Sequence, residues 1–315
     1  MQAVVVDHGA LRLEERPDPV PAATEVLVAV RAAGLNGADM LQRRGAYPAP
    51  PGAPADIPGL ELAGEVLEVG PKVTAVRPGD RVMAVVGGGA QATAAVVEES
   101  HLLLVPASIS WAEAGGFPQV FSTAYDALFT RCALSIGDRL LVTGAAGGVG
   151  VAAVQLGAAA GATVVASVRD PERRAEVEAL GADEVIGTED VAAHGPYDVV
   201  LELVGAASLP LALGALATGA RVAVIGVGSG SRVELDLLTL MRTRAVIGGS
   251  TLRARRSAEK AAVADAVRAH VLPLLADGRV RVPVCNTYPL ADAGRAYDRF
   301  EAGKKLGKIV LTTVA

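Results

Sequence analysis

One run of glycines in the middle of the chain constrains its fold more than any other feature. The run follows an apolar stretch at residues 140–143 and leads into a small-residue stretch at residues 149–160. The first stretch predicts a buried strand and the second predicts a helix. Glycines in such a turn let a phosphate group approach backbone amides at the start of the helix. The turn therefore predicts a dinucleotide-binding site formed by Gly144, Ala145, Ala146, Gly147, Gly148, Val149 and Gly150.

The spacing of this turn departs from a strict G-x-G-x-x-G pattern, because two alanines separate its first two glycines. A lone glycine run can also be a purely structural turn. The surrounding pattern favours a ligand site, because short apolar strands alternate with helical stretches from about residue 111 onwards. These strands lie at residues 163–167, 197–202, 221–226 and 245–249. Apolar strands separated by helices are typical of a parallel sheet covered on both faces.

The two ends of the chain show a different pattern. Residues before about 110 are rich in proline and glycine, with short β-branched runs between them, and a similar pattern returns after residue 278. This pattern predicts a compact, mostly antiparallel β domain. We therefore predict an α/β protein in which a Rossmann domain, a doubly wound parallel sheet at residues 119–269, is inserted into a β domain. The β domain comprises residues 1–118 and 270–315.

Composition excludes several classes of protein. The net charge of −5 at pH 7 and the pI of about 5.5 argue against nucleic-acid binding. No apolar run reaches the roughly 18 residues that a membrane span requires. Cys132 and Cys285 are the only cysteines and are far apart in the sequence, so no disulfide framework is expected. A reducing, cytoplasmic location is therefore the expectation.

The end of the second apolar strand indicates which dinucleotide is held. Sites that prefer NAD tend to place an acidic residue there, about 20 residues after the turn, against the ribose hydroxyls. Here Ser167 ends the strand, and Arg169 and Arg173 follow it. Two guanidinium groups suit the 2′-phosphate of NADPH. Asp170 would oppose that phosphate unless it turns away to cap the next helix, and a solvated helix face is the alternative interpretation. NADPH is favoured over NADH.

Several motifs, in order along the chain, resemble those of one family. They are GLNGADMLQRRGAYP at residues 34–48, PGLELAG at 58–64, FSTAY at 121–125, the glycine turn, STLR at 250–253 and GKIVL at 307–311. Together they resemble the zeta-crystallin-like quinone oxidoreductases, the zinc-free members of the medium-chain dehydrogenase/reductase superfamily. The resemblance spans essentially the whole chain. It implies that the β domain is GroES-like and that the Rossmann domain is the cofactor-binding domain.

The resemblance also implies that the catalytic zinc of related alcohol dehydrogenases is absent. Asn36, Leu60 and Gln119 stand at the positions of the Cys, His and Cys that hold that metal. None of the three supplies a thiolate or an imidazole, which are the ligands that zinc prefers. The four histidines are scattered, and two cysteines cannot form a four-cysteine structural site. No metal is expected.

The function implied is NADPH-dependent reduction of quinones or other α,β-unsaturated carbonyl compounds by hydride transfer without a metal. Two alternatives stay open. One is an enoyl-thioester reductase from a sister branch. The other belongs to a different class, an NADPH-binding structural or regulatory protein with little turnover. The expected partners are therefore a small-molecule quinone or enone, with no nucleic acid and no membrane, and a second copy of the chain. Dimer contacts are expected along the edge strand at residues 245–248.

Residue roles follow from the resemblance and from the strand ends. Tyr47 resembles the proposed proton donor, with a tyrosine that only packs the loop beside Pro48 as the alternative. Asn36 is predicted to be both catalytic and cofactor-binding, as a group that donates to and accepts from a carbonyl or carboxamide, and Asp39 and Arg44 are expected to form a buried pair. Ligands bind outside the carboxyl ends of parallel strands. The remaining predicted cofactor contacts are Thr123, Val204, Gly226, Val227, Ser250, Leu252 and Lys308, the last with a surface lysine as the alternative.

Overall fold

The computed structural model describes residues 1–313, and the contacts between residues divide the chain into two units. Unit 1 comprises Met1–Ser122, Leu252–Gly303 and the residues from Lys308 onwards. Unit 2 comprises Thr123–Thr251 together with the short segment Lys304–Gly307. Among the described residues, no helix is both long enough and apolar enough to cross a membrane.

The strands are β1 (Gln2–Asp7), β2 (Ala10–Glu15), β3 (Glu25–Gly34), β4 (Glu61–Val69), β5 (Arg81–Val85), β6 (Ala94–Glu98), β7 (Leu102–Leu104), β8 (Arg139–Val142), β9 (Thr163–Ser167), β10 (Glu184–Ile186), β11 (Tyr197–Glu202), β12 (Leu216–Val224), β13 (Val246–Gly249), β14 (Val284–Pro289) and β15 (Lys308–Thr312). The α-helices are α1 (Gly37–Arg43), α2 (Trp111–Gly116), α3 (Pro118–Tyr125), α4 (Gly148–Ala159), α5 (Arg174–Glu178), α6 (Leu209–Leu213), α7 (Leu237–Thr243), α8 (Ser257–His270), α9 (Leu272–Ala276) and α10 (Ala293–Glu301). A π-helix, Asp126–Arg131, follows α3 directly.

Unit 2 is the predicted doubly wound sheet. Its six strands are all parallel, in the order β10-β9-β8-β11-β12-β13. The central strands β8 and β11 are mostly apolar because helices cover both faces of the sheet, and their apolar residues are fully buried. The strand order reverses between β8 and β11, and ligands of such sheets bind beside this point. The glycine-rich turn follows β8, so the sheet places it there.

Unit 1 is the predicted β domain. Seven strands form its main sheet: β14-β15-β3-β4-β5-β7, with β6 paired to β3. All pairs are antiparallel except β14 with β15. Alternate residues of β3 are buried, as expected for a strand with one face on a core. That core contains Val26, Val28, Leu62 and Val82. The α/β fold, with a GroES-like β domain and a Rossmann sheet, is confirmed.

The division between the units differs from the predicted domain limits after unit 2. The sequence pattern placed the limit at residue 269, whereas contacts place it between Thr251 and Leu252. Helix α8 accounts for the difference, because it packs on β7 and on the short helix Glu99–His101, both in unit 1. The short segment Lys304–Gly307 belongs to unit 2, whereas the sequence pattern assigned it to the β domain. The Gly307 N–H donates to the carbonyl of Ala146 over 2.9 Å.

Candidate active site

A buried ion pair lies in unit 1 where three strands meet. The Nζ of Lys308, the first residue of β15, is 2.6 Å from Oε1 of Glu61, the first residue of β4. The same ammonium donates to the carbonyl of Leu35 over 2.7 Å and to Oδ1 of Asn36 over 2.8 Å. The three N–H groups of the Lys308 ammonium therefore each have an oxygen atom as acceptor. It is not a surface lysine, and its predicted contact with the cofactor stays a prediction.

Asn36 caps α1 and is held from several sides. Its Nδ2 donates to Oε1 of Glu61 over 2.9 Å and to the carbonyl of Gly34 over 3.2 Å. Both amide hydrogens are therefore used within unit 1, which argues against the predicted donation by Asn36 to a substrate carbonyl or carboxamide. Its Oδ1 accepts from Lys308 and keeps one further lone pair.

The residues expected at the metal-ligand positions provide no metal site. The Gln119 N–H donates to Oε2 of Glu61 over 2.9 Å, and Leu60 is a buried apolar residue. Within residues 1–313, no group of three His, Cys, Asp or Glu side chains is arranged to hold a metal ion. A positive charge is nevertheless present in this region, on the Lys308 ammonium. The donor set therefore does not fit zinc, which prefers nitrogen and sulfur ligands.

Asp39 is fully buried beside this cluster. Its carboxylate accepts from the Asn36 N–H over 2.7 Å and from the Gly59 N–H over 3.1 Å. Burial raises the pKa of Asp39 to about 6, and the two backbone hydrogen bonds only partly oppose the increase. The expected pair of Asp39 with Arg44 is wrong. Arg44 is exposed and instead lies 2.9 Å from Glu301 at the end of α10. At the surface its guanidinium keeps its hydration, which burial beside Asp39 would remove.

Tyr47 lies in the loop between α1 and β4 and contacts Arg253. Nη1 of Arg253 donates to the Tyr47 carbonyl over 2.9 Å, and the guanidinium lies 5.0 Å from the centre of the Tyr47 ring. Tyr47 itself is half-buried. Its role as proton donor stays a prediction.

The glycine-rich turn in unit 2 has the geometry of a phosphate cradle. Gly144 adopts a φ of +60°, which side chains disfavour. The Ala145 N–H donates to the carbonyl of Ser167 over 3.1 Å and so joins the ends of two strands. A Cβ on Gly150 would lie 2.6 Å from Cα of Ala145, so only glycine lets α4 start this close to β8. Because α4 begins at Gly148, within the turn, its first amides are available to a phosphate, and the turn fits a dinucleotide.

The end of β9 offers polar groups for the adenosine part of such a cofactor. Oγ of Ser167 is buried and has no hydrogen-bond partner among the described residues. Arg169 is exposed and forms no ion pair within residues 1–313. Arg173, by contrast, already binds Glu176 over 2.9 Å. Asp170 turns away as expected, because its carboxylate caps the next short helix at the Glu172 N–H. Arg169 is therefore the less engaged of the two predicted arginines, although Nε of Arg173 also has no partner among the described residues, and both contacts with a phosphate stay predictions.

The other strand ends of unit 2 are held by two buried acids. Oε1 of Glu202 accepts from the N–H groups of Val204 (2.6 Å) and Gly205 (2.8 Å) and from two hydroxyls. This fixes the loop after β11, which contains the predicted contact Val204. The Ser250 hydroxyl donates to Oδ2 of buried Asp126 over 3.0 Å.

The predicted cofactor residues are divided between the two units. Thr123, Gly226, Val227 and Ser250 lie in unit 2 with the turn, whereas Leu252 lies in unit 1. Their contacts with a cofactor stay predictions. Sequence reasoning missed Glu61, Glu202 and Arg253 as buried charged residues. The available signal was a lone charge inside an apolar run, which for Glu61 and Glu202 is visible in the sequence.

Comparisons with known proteins agree with this architecture. The family model of the alcohol dehydrogenase GroES-like domain matches residues 22–108. The family model of the zinc-binding dehydrogenases matches residues 148–268. The chain therefore belongs to the medium-chain dehydrogenase/reductase superfamily and is an oxidoreductase by family. Within the superfamily it is zeta-crystallin-like, and the resemblance stated from its motifs is confirmed.

Three relatives illustrate the range of this family. The acryloyl-coenzyme A reductase of Metallosphaera sedula is 33% identical over 99% of this chain and 100% of its own length. The quinone oxidoreductase of Lama guanicoe is 31% identical over 93% of this chain and 90% of its own. A mycobacterial protein solved in complex with NADPH is 27% identical, has a TM-score of 0.89, and is matched over 99% of this chain and 100% of that one.

Proposed function

We propose that this protein transfers hydride from NADPH to a quinone or another α,β-unsaturated carbonyl compound without a metal ion. The observation that carries the proposal is the set of side chains at the expected metal-ligand positions. The Asn36 side chain donates to Glu61, Leu60 is apolar, and Gln119, whose backbone N–H also donates to Glu61, has an amide side chain and not a thiolate. In zinc-dependent relatives, alcohol dehydrogenation relies on a metal ion that polarises the oxygen of the alcohol. The side chains at these three positions do not supply ligands for that metal. The quinone oxidoreductase relative supports the proposed class of acceptor.

Bound NADPH would supply the hydride, and the chain's own residues would hold it and complete the proton balance. The amides at the start of α4 would hold the pyrophosphate, and Ser167 and Arg169 would bind the adenosine ribose and its 2′-phosphate. Once hydride has added to the conjugated system, the acceptor oxygen carries a negative charge. The Tyr47 hydroxyl would then donate its proton to that oxygen, and water would return a proton to Tyr47.

A second activity, reduction of an enoyl thioester, has its own support. The acryloyl-coenzyme A reductase matches this chain from end to end at 33% identity. The chemistry is the same at the reacting atoms, since hydride again adds to a carbon conjugated with a carbonyl. The two substrates differ in the group bonded to the carbonyl carbon, which is a second ring carbon in a quinone and the sulfur of a long thioester arm in the other case.

One experiment separates these possibilities. Purified protein is mixed with NADPH and, in turn, with a naphthoquinone, a simple enone and acryloyl-CoA, and the absorbance of the reduced nicotinamide is followed. Turnover of the quinone or the enone supports the proposal, and turnover of acryloyl-CoA alone assigns the second activity. Tight binding of NADPH in a calorimeter, without turnover of any acceptor, would instead support a structural or regulatory protein.

The role of Tyr47 is tested in the same assay with Tyr47→Phe. We expect kcat to fall about 100-fold, within the range typical of general acid catalysis. Tyr288→Phe is the matched control, because Tyr288 lies in β14 of the same unit and also has an arginine near its ring. An unchanged rate for Tyr47→Phe discards Tyr47 as the donor.

A further inference from the structure

Arg253 is a buried cation that the proposed reaction does not use. Its side chain is 3% exposed. Besides its bond to the Tyr47 carbonyl, Nε donates to the Gly87 carbonyl over 2.8 Å, and Nη2 donates to Oε1 of Gln42 over 2.6 Å. Every one of these partners is in unit 1. The guanidinium therefore connects three separate segments of that unit, namely helix α1, the Tyr47 loop and the turn after β5.

Among the described residues no carboxylate contacts this charge directly, although that of Asp39 acts on it through space. Within residues 1–313, Arg253 forms no ion pair, and its acceptors are two carbonyls and an amide oxygen. Burial lowers the pKa of Arg253 accordingly. A buried charge without a counter-charge is unfavourable, and proteins ordinarily pair such groups. A fork of hydrogen bonds, the face of the Tyr47 ring and the more distant Asp39 charge offset the cost here. An arrangement of this kind calls for an explanation beyond packing.

The loop that contains Tyr47 needs a hydrogen-bond donor from another part of the chain. Five prolines occur between residues 48 and 58, and none of them has a backbone N–H to donate. The loop can therefore form few hydrogen bonds of its own. At its start, Gly45 and Ala46 bond back to α1, and Tyr47 is the next residue along the chain. Its carbonyl is the one that Arg253 binds.

We propose that Arg253 is the positioning residue for Tyr47: it fixes the backbone and the ring plane of Tyr47 so that the hydroxyl is presented in one orientation. The role requires the planar fork and not merely a positive charge, because two of its nitrogens bind separate carbonyls while the plane covers the ring. This inference rests on the proposed function insofar as Tyr47 donates a proton. The placement of the ring itself does not depend on that function.

The placement is tested by fluorine NMR on protein labelled with 3-fluorotyrosine. The chain has five tyrosines, and the resonance that disappears in Tyr47→Phe is assigned to Tyr47. We expect Arg253→Met and Arg253→Lys each to shift and broaden this resonance and to leave the other four unchanged. The control is Arg43→Met, because Arg43 also donates to a carbonyl (Gly9, 2.9 Å) and lies 5.8 Å from the ring of another tyrosine, Tyr297. This control should leave the Tyr47 resonance unchanged.

Kinetics then test the consequence. With the acceptor that turns over, Arg253→Met and Arg253→Lys should each lower kcat about 10- to 100-fold while KM for NADPH is unchanged, the loss expected when a reacting group is misplaced. Tyr47→Phe should cost less activity in the Arg253→Met protein than in the unsubstituted protein, because the two substitutions remove the same contribution. A Tyr47 resonance unaffected by both Arg253 variants would overturn the proposal, even in a protein without measurable turnover. Full activity of Arg253→Lys would overturn it too, since the charge alone would then suffice.

Discussion

The Nζ of Lys308 and Oε1 of Glu61 are 2.6 Å apart, although 247 positions separate them along the chain, and both side chains are closed to solvent. The pair joins the first residue of β15 to the first residue of β4. Charges withdrawn from water in this way are tolerated only as partners, because either one alone would lack both water and a counter-charge.

Removing one member of this pair should therefore be costly. We expect Lys308→Met to lower the free energy of unfolding by about 3–5 kcal/mol, since it leaves the Glu61 carboxylate buried and unpaired. Urea denaturation measures the change. The exposed pair of Arg44 and Glu301 provides the control, and Arg44→Met should cost less than about 1 kcal/mol. Equal losses in the two variants would contradict the buried pair.

The titration of Asp39 should be visible in the pH dependence of stability. Its pKa is about 6 in the folded chain, above the ordinary value of 3.8, so the folded state binds the proton more tightly than the unfolded state does. The stabilisation of the folded state by this tighter proton binding is complete below pH 3.8 and is lost as the pH rises to about 6. It corresponds to about 3 kcal/mol. The unfolding free energy of Asp39→Asn should depend correspondingly less on pH in this window.

The control for that experiment is Asp298→Asn, because Asp298 is exposed on α10. Its curve of unfolding free energy against pH should parallel that of the unsubstituted protein between pH 4 and 6. If Asp39→Asn also follows the unsubstituted curve, the carboxyl of Asp39 does not titrate in this window.

Selection of the dinucleotide should depend on one arginine more than on the other. Arg169→Ala should weaken NADPH binding about 10- to 100-fold, the equivalent of one or two lost hydrogen bonds to a charged group. NADH binding should be unchanged, because NADH has no 2′-phosphate. Arg173→Ala should have a small effect on both, since Glu176 already binds Arg173. Calorimetry with each cofactor measures the affinities, and an equal loss for NADPH and NADH would rule out this role for Arg169.

Substitution of one glycine in the turn should disrupt the cradle. A Cβ on Gly150 would overlap Ala145 and the Gly144 carbonyl, both at 2.6 Å, so Gly150→Ala should destabilise the protein by about 1–3 kcal/mol. Stabilisation by added dinucleotide, measured as a rise in Tm, should be lost with it. Gly294→Ala in α10 is the control, because nothing lies within 4 Å of its Cβ position. That variant should be as stable as the unsubstituted chain or about 0.5–1 kcal/mol more stable.

We also propose that two copies pair through β13. This strand is at the edge of the unit 2 sheet, as expected from the sequence, and Val246 on it is 65% exposed. Three more large apolar side chains close to it in the sequence are exposed as well: Leu237, Leu238 and Met241. A lysine on an edge strand opposes pairing, so Val246→Lys should convert the dimer to a monomer in sedimentation analysis. Ile136→Lys, also at an exposed site of unit 2, should stay dimeric, and a monomeric unsubstituted protein would exclude this dimer.

The parts of this molecule that could be predicted from sequence are those with a local signal. The turn after β8 is recognisable because its glycines, strand and helix are contiguous, and the edge position of β13 follows from the order of the strands. Asp170 likewise caps the helix next to it. Local patterns of this kind also sufficed for the fold class.

The buried charges could not be predicted, because their partners are distant in sequence. Arg44 was expected to pair with nearby Asp39 and instead binds Glu301, while Lys308 pairs with Glu61. Which carboxylate a cation meets is decided by tertiary packing, and no spacing rule records it. The same holds for Arg253, whose acceptors belong to segments more than a hundred residues away.

The hydrogen bond from Gly307 to Ala146 has a consequence for how the chain is made. During translation the glycine-rich turn leaves the ribosome long before Gly307, whose N–H it binds. In unit 1, β3 is synthesised even longer before β15, the strand with which it pairs. Until residues 304–312 have been synthesised, each unit lacks hydrogen bonds that it has in the finished chain. A ribosome that stalls before residues 304–312 would therefore leave hydrogen bonds unformed in both units at once.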